Sequence, residues 1–352
     1  MRASPVCQGF FDDGPALENC TVNATAAASA PVTEAPFFNV KVTRKAALAK
    51  DIFGFELRHL EGHVLPPFTA GSHLTVQVPG GARRNYSLCG DPADAGAYQI
   101  AVKRDAQGRG GSVGMADGVH PGDLLSVSSP RNNFELHPRA GNFLFIAGGI
   151  GITPILSMMR HLKTLQRGRF KLIYCTRDAD HTAFLQELTG PRFAGQVQLH
   201  HDHGDIDSAF DFWPVFEKPD TTGATHFYCC GPRGLMDAVA DMSGHWPSGS
   251  IHFESFGVDA SAYAANRAFT VYLQKSGVDI PVAAGQSILE ALRACGHPVR
   301  SSCESGTCGS CRTKLLAGVA EHRDMVLSDE ERVTQIMVCV SRAKSGELVL
   351  DL

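Results

Sequence analysis

Apolar and polar positions alternate with different periods along the chain and divide it into sections. From Phe37 the segments are short and repeat every two residues, as in Phe53, Phe55 and Leu57, then Leu74, Val76 and Val78 before the turn Pro79-Gly80-Gly81. Further strand-like runs cover Tyr98 to Lys103 and Leu124 to Val127. Closely spaced strands broken by Gly and Pro predict a small antiparallel β-barrel. Near Gly141 the period changes. Phe143-Leu144-Phe145-Ile146-Ala147 is a continuous apolar run, followed by a glycine turn and a helical repeat at Ile155, Leu156, Met159 and Leu162. Strand-like runs recur at Lys171 to Thr176, Gln196 to His200, His226 to Cys230 and Ile251 to Phe256, with helical segments around Phe184 to Leu188 and Gly234 to Met242. This alternation predicts a parallel sheet with ligands at the strand C-termini, where Thr176, Arg177, Cys230, Gly231 and Pro232 fall.

A small-residue linker, Asp259 to Asn266, precedes the last section, which opens with a strand from Phe269 to Leu273. Ser287-Ile288-Leu289-Glu290 reads as a capping box starting a helix with Ile288, Leu289 and Leu292 inward. The mixed pattern there suits a β-grasp domain. Residues 1–36 are aperiodic and of low complexity around Thr25 to Pro31, without the basic and apolar regions of a signal peptide, and are expected to be a disordered extension. The expected division is therefore 1–36 extension, 37–139 barrel, 140–257 α/β domain, 258–268 linker and 269–352 β-grasp domain. The formal charge of −4 is spread evenly, so no basic tract points to nucleic acid, and no apolar run is long enough for a membrane span.

The eleven cysteines carry the sharpest chemistry. Cys89, Cys175, Cys229, Cys230 and Cys295 lie in apolar strand or helix patterns, as small hydrophobes do in a reducing compartment, and the cytoplasm is expected. Cys303, Cys308 and Cys311 are packed among glycine and serine, and Cys339 follows after a helix-like and a strand-like segment. This is the plant-type spacing for a 2Fe-2S cluster. A structural zinc site would more commonly use two separated Cys or His pairs, and a disulfide knot would call for an export signal. Cys295-Gly296-His297 looks like half of a Rieske ligand pair, but no C-x-x-H completes it.

Two barrel stretches pair with this. In Arg84-Asn85-Tyr86-Ser87-Leu88-Cys89 a charge, an aromatic ring and a hydroxyl are read as sharing one face of a strand. Gly108-Arg109-Gly110-Gly111-Ser112 is read as a glycine turn whose N–H groups form an anion nest. Together they imply a flat, phosphorylated cofactor. In Gly148-Gly149-Ile150-Gly151-Ile152-Thr153-Pro154, Thr153 is typed as an N-cap and Pro154 as the first helical residue, which presents a helix N-terminus to a phosphate. His200-His201-Asp202-His203-Gly204-Asp205 approaches the metal-binding run of metallo-β-lactamase-type hydrolases, but Ile206 stands in place of the last histidine, and a polar strand exit is the preferred reading.

From about Phe37 to Leu352 these motifs, with Tyr174-Cys175-Thr176-Arg177 and Cys230-Gly231-Pro232, resemble in identity and order the phthalate dioxygenase reductase family, which includes vanillate O-demethylase reductases. The resemblance implies a flavin barrel and an NAD domain like those of ferredoxin–NADP reductase, fused to a plant-type ferredoxin. It implies FMN held by Arg84 and Ser112 at the phosphate and by Tyr86 and Ser87 at the flavin. Asn85, Ala101, Val102, Lys103, Gly110, Gly111, Thr153 and Phe256 complete that site. Gly149, Gly151, Ile152, Thr153, Pro154, Thr176, Arg177, Cys230, Gly231 and Pro232 would line the NAD site, Ser87 and Cys230 would be catalytic, and Cys303, Cys308, Cys311 and Cys339 would hold the cluster. Val113-Gly114-Met115-Ala116 departs from relatives, which often carry an arginine and a histidine there.

The implied activity is electron transfer from NADH through FMN and the cluster to a terminal Rieske oxygenase on a separate chain. A flavin accepts a hydride and passes electrons on singly, which a one-electron cluster requires. A plant-type cluster at roughly −400 mV can drive a Rieske centre. Other expectations remain: another acceptor such as a haem monooxygenase, or, in a different class, a cluster-bearing redox sensor that binds nucleotide without turnover.

Overall fold

The computed structural model describes residues 37–108, 110–247, 249–256 and 266–352. The expected extension at 1–36, most of the 258–268 linker and Arg109 lie outside the described residues. The chain forms two compact units that divide near residue 260.

The first unit begins with seven strands, β1 (Phe37–Ala49), β2 (Ile52–His59), β3 (Ser72–Gln77), β4 (Arg83–Ser87), β5 (Tyr98–Lys103), β6 (Leu124–Ser128) and β7 (Arg131–Asn132). They pair antiparallel in the order β4-β3-β6-β1-β2-β5, with β7 on β3. Leu88 bridges Ile100, and the Cys89 N–H donates to the Gln99 carbonyl at 2.8 Å, so the two outer strands meet and close the barrel. Alternate residues face inward: Val40, Val42, Phe55, Leu57, Leu74, Val76, Ile100 and Val127 are all buried. Between β5 and β6 lies helix α1 (Gly111–Gly118), where the sequence predicts only a turn.

The same unit continues as β8 (Asn142–Gly148), α2 (Ile152–Leu165), β9 (Arg169–Thr176), α3 (Leu185–Leu188), β10 (Val197–His201), α4 (Trp213–Phe216), β11 (Thr225–Cys230), α5 (Arg233–Ser243) and β12 (Ile251–Glu254). The strands are parallel in the order β10-β9-β8-β11-β12. Strand order therefore reverses between β8 and β11, and the crevice at their C-terminal ends is where open α/β sheets take ligands. Helix α2 starts earlier than its sequence predicts. A 3-10 turn over Gly149–Gly151 winds the chain into it, so Gly151 is the cap, Thr153 the second helical residue and Pro154 the third. The Thr153 hydroxyl donates back to the Ile150 carbonyl at 3.0 Å instead of capping an N–H.

The second unit has β13 (Phe269–Leu273), β14 (Val278–Val282), α6 (Ile288–Ala294), β15 (Arg312–Ala317), β16 (Ala320–Glu321), α7 (Asp329–Arg332), β17 (Gln335–Met337), β18 (Arg342–Ala343) and β19 (Glu347–Leu350). Its main sheet runs β14-β13-β19-β15-β17, with β13 and β19 parallel at the centre and antiparallel pairs outside. The capping box at Ser287 and Glu290 forms as its sequence dictates, and Ile288, Leu289 and Leu292 are buried beneath α6.

Candidate active site and iron–sulfur centre

Strand β4 carries the flavin motif. The Tyr86 ring packs against the barrel core, yet its hydroxyl is buried without a hydrogen-bond partner. Burial pushes its pKa up to about 12, against the opposing pull of the Arg84 charge. A buried hydroxyl left unpaired costs about 1–3 kcal/mol, which a bound ligand with an acceptor would recover. Arg84, on the same face of the strand, lies along the start of α1. A Cβ on Gly111 would come within 2.9 Å of Arg84 Nε, so only glycine lets the guanidinium sit there. Gly110, at φ 78°, turns the chain into the helix with no side-chain cap. A guanidinium beside uncapped helix N–H groups fits a phosphate.

The remaining barrel positions divide. Ser112 Oγ accepts from the Asp105 N–H at 3.1 Å, and Asn85 Oδ1 accepts from Thr75 Oγ1 at 2.8 Å. Ala101 and Val102 are buried in the core clusters and pair with Gly54 and Phe53 of β2, while Lys103 is exposed. Ser87 corrects the shared-face reading. It directly follows Tyr86, so the two-residue repeat turns it to the opposite face, where its buried hydroxyl donates to Glu254 Oε2 at 3.2 Å.

That contact joins the barrel to the switch crevice. Glu254 ends β12 and is 8% exposed, and Cys230 ends β11 fully buried. Burial, and secondarily the Glu254 charge, hold the Cys230 thiol well above its ordinary pKa, so it is a neutral thiol. The glycines of the β8 loop serve backbone approach: a Cβ on Gly151 would stand 2.1 Å from the Cys230 carbonyl oxygen, and one on Gly148 2.5 Å from Pro232 Cδ. Gly149 needs its positive φ of 51° and has open space around it. Ile152, Thr153 and Pro154 are buried in the α2 start, whereas Pro232 and Arg177 are exposed at the crevice and Gly231 is half-buried. Thr176 Oγ1 is engaged with Thr182 Oγ1 at 2.7 Å. Phe256 stands 45% exposed two residues beyond Glu254. The histidine run is a strand end: β10 stops at His201, and His200 Nε2 meets the Ser208 carbonyl at 2.8 Å.

Two functional candidates escape the sequence reading. Glu254 belongs to no motif, and its only signal is its place at the end of a strand beside the crevice. Arg160, on α2, forks onto Glu187 through Nε at 2.9 Å and through Nη2, and donates from Nη1 to the Cys89 carbonyl at 2.8 Å and to Gln99 Oε1 at 3.0 Å. It ties the α/β domain to the end of the flavin strand.

In the second unit the loop after α6 draws the four cysteines together. Their thiols interact as two pairs, Cys303 with Cys308 and Cys311 with Cys339, and the Cys303 charge is felt by both members of the other pair. The Ser305 N–H donates to Cys303 Sγ at 3.4 Å, and the neighbouring Cys308 side chain and this N–H lower the Cys303 pKa, while the Cys308 thiol donates to Ser310 Oγ at 3.2 Å. Cys303, Cys308, Cys311 and Cys339 are the residues that would hold a 2Fe-2S cluster, as thiolates, although among the described residues no three metal-ligating side chains are already gathered for a single ion. Gly306 and Gly309 have φ near 78° and 77°. A Cβ on Gly306 would stand 2.8 Å from Val340 Cγ2, so the loop closes tightly only with glycine there.

Comparison with known proteins bears on all three parts. An oxidoreductase FAD-binding domain matches residues 39–136, an oxidoreductase NAD-binding domain 145–241 and a 2Fe-2S iron–sulfur cluster binding domain 271–344. The chain is 60% identical to the phthalate 4,5-dioxygenase reductase subunit of Pseudomonas putida, over 90% of this chain and 97% of that one. It is 56% identical to phthalate dioxygenase reductase of Burkholderia cepacia over 90% and 98% of the two. The chain belongs to the phthalate dioxygenase reductase family. A solved phthalate dioxygenase reductase, described as a modular structure for electron transfer from pyridine nucleotides to [2Fe-2S], superposes with a TM-score of 0.72 over 90% of this chain and 98% of its own. As a member of this family the chain is an NADH-dependent oxidoreductase with FMN and a 2Fe-2S cluster, and is the reductase component of an oxygenase system. Among the described residues no helix is long and apolar enough to cross a membrane.

Proposed function

We propose that the chain delivers electrons from NADH to the Rieske centre of a separate terminal oxygenase acting on phthalate or a similar aromatic dicarboxylate, in the cytoplasm. The observation that carries electron delivery is the two-pair arrangement of the four cysteines on a chain that also carries the Tyr86 and Arg84 strand. The substrate class is supported by the step in identity from 60% and 56% for phthalate reductases to 39% or less for relatives serving phenoxybenzoate, vanillate and carnitine systems. The buried free cysteines Cys89, Cys175, Cys229 and Cys230 support a reducing compartment.

The flavin domain is assigned to 37–139, the NAD domain to 140–257, the linker to 258–268 and the cluster domain to 269–352. Arg84, Gly110, Gly111 and Ser112 hold the FMN phosphate. Tyr86, Asn85, Lys103 and the Ala101 and Val102 backbone hold the flavin, with Ser87, Thr153 and Phe256 at its edge. Gly149, Gly151, Ile152, Pro154, Thr176, Arg177, Gly231 and Pro232 shape the NADH site around Thr153 and Cys230. Cys303, Cys308, Cys311 and Cys339 hold the cluster. Bound FMN supplies conversion of a hydride into single electrons. The chain's own residues do the positioning: the neutral Cys230 thiol and the Ser87–Glu254 pair line the approach of the nicotinamide, and the short Gly151 loop brings the α2 N-terminus to the same point.

Anaerobic titration with NADH, with the released flavin identified by chromatography, tests this reading. Release of FMN, bleaching of the flavin absorbance and the EPR signal of a reduced 2Fe-2S cluster are expected. Turnover of phthalate by a purified phthalate 4,5-dioxygenase oxygenase supplied with this chain tests the partner. NADH binding without reduction of either centre would leave the sensor reading standing in its place.

A further inference from the structure

The cluster loop contains one residue whose backbone is at odds with its side chain. Glu304 follows the ligand Cys303 with φ 54°, in the left-handed region that costs a side-chain-bearing residue free energy. Neighbouring left-handed positions in this loop, Gly306 and Gly309, are glycines. Glu304 is held differently. Arg293, in the last turn of α6, donates through Nη2 to Glu304 Oε1 at 2.7 Å and to Ser301 Oγ, and Ser301 Oγ donates to the same carboxylate oxygen at 2.9 Å. Arg293 and Glu304 are 42% and 45% exposed, so as an ion pair they add little stability. What the three-membered network does is fix a conformation. With Glu304 turned this way, the next N–H, that of Ser305, comes back to Cys303 Sγ at 3.4 Å, beside the Cys303 N–H that approaches Cys308 Sγ at 3.4 Å. N–H groups aimed at cluster sulfurs stabilise the reduced, more negative state and raise the potential.

We propose that Glu304, locked by Arg293 and Ser301, is a positioning residue for the cluster: its left-handed backbone aims the Ser305 N–H at the Cys303 sulfur and thereby sets the cluster's potential and retention. The inference rests on these four cysteines holding a 2Fe-2S cluster.

Its test compares Glu304→Ala with Glu304→Gly in the full-length holoprotein. Both remove the carboxylate, so charge cancels and their difference reports the backbone alone. The glycine variant tolerates the left-handed turn without a tether and the alanine variant does not. Redox titration followed by EPR should give Glu304→Ala a more negative midpoint than Glu304→Gly, and loss of iron to a chelator should be severalfold faster in the alanine variant. Arg293→Gln should speed iron loss in the otherwise native chain and have no further effect in the Glu304→Gly background, since the tether then has nothing to hold. Should the alanine variant not assemble a cluster while the glycine variant does, the proposal is supported, and Glu304→Asn, which accepts the left-handed region, should then retain it. Equal midpoints and equal iron loss in the alanine and glycine variants would overturn the proposal, as would an undiminished Arg293→Gln effect in the glycine background. Absence of iron and acid-labile sulfide from the native chain would instead strike at the cluster assignment itself.

Discussion

Glu254 shows how little of a site a single side chain announces. It ends a short strand like many surface carboxylates, yet it is buried, accepts from Ser87 on the barrel and raises the pKa of Cys230 on the neighbouring strand. Ser87 and Cys230 could be singled out from the sequence because each lies in a run of unusual residues, whereas Glu254 is brought to them only by the pairing of β12 with β11. If the three share the nicotinamide approach, Glu254→Gln should slow NADH-dependent flavin reduction by about a hundredfold, with NADH affinity changing far less. Anaerobic stopped-flow at the flavin band separates the two, because the plateau rate reports transfer and its half-saturation reports binding. A fall in affinity alone would place Glu254 outside the reacting geometry. Ser87→Ala should act in the same direction and more weakly, since it removes one donor and leaves the carboxylate in place.

At the scale of elements, periodic strands were legible and helix α1 was not. Gly111, Gly114 and Gly118 lower its intrinsic helicity by about 1 kcal/mol each relative to alanine, so its sequence reads as a loop. Tertiary contacts overrule this: Met115 is buried in the barrel core, and Lys45 Nζ donates to the Ala116 carbonyl at 2.5 Å and the Val119 carbonyl at 2.8 Å, tying down the helix C-terminus. The Arg160 fork was hidden for the same reason, since Cys89, Gln99 and Glu187 are far apart in sequence. Arg160→Met should lower stability by about 1–2 kcal/mol, since it removes a charged fork from a half-buried pair, and Arg160→Lys should recover little because lysine lacks the fork. The urea midpoint of the flavin signal measures both. Another device joins β11 and β12 to the connection after the barrel. His226 Nδ1 and His252 Nε2 are 2.9 Å apart, His137 stacks on His226 at 4.1 Å between ring centroids, and Tyr228 stacks on His252 at 4.5 Å. Burial first, then the neighbouring histidines, lowers the His252 pKa to about 4, and burial lowers that of His226. An unfolded histidine takes a proton near pH 6.5 while the folded His252 does not, so the unfolded state binds more protons as pH falls from about 6.5 to about 4. Stability should therefore be full above pH 7 and decline by roughly 2 kcal/mol across that window, and His252→Phe should flatten the decline. Denaturation midpoints at pH 7 and pH 5 for the two chains decide it, and parallel slopes would clear the stack of responsibility.

For the whole molecule, the sequence divides into three folded sections, but the barrel and the α/β domain pack as one compact unit. Ile52, Ala70 and Ala101, all from the barrel section, lie in the core cluster of the parallel sheet, and the Ser87–Glu254 and Arg160–Cys89 contacts cross the same boundary. Periodicity reports which face of a strand is apolar and is silent on which neighbour covers it, so this union could not be read. The cluster domain is a compact unit with its own buried core, including Val271, Leu273, Ile288, Leu292 and Ile336. This division predicts a clean separation of activities. Cys308→Ser removes one of the four sulfurs and should abolish the 2Fe-2S absorbance and EPR signal, leaving the NADH-to-flavin step within about twofold of native, because no group of the first unit is altered. Ferricyanide, a small acceptor able to take electrons from the flavin directly, should be reduced at a nearly native rate, whereas reduction of the oxygenase, which has to draw on the cluster, should fall at least about tenfold. If stopped-flow instead found the flavin reduced much more slowly in Cys308→Ser, the cluster domain would be shaping the flavin site, and the two compact units would have to be treated as one machine.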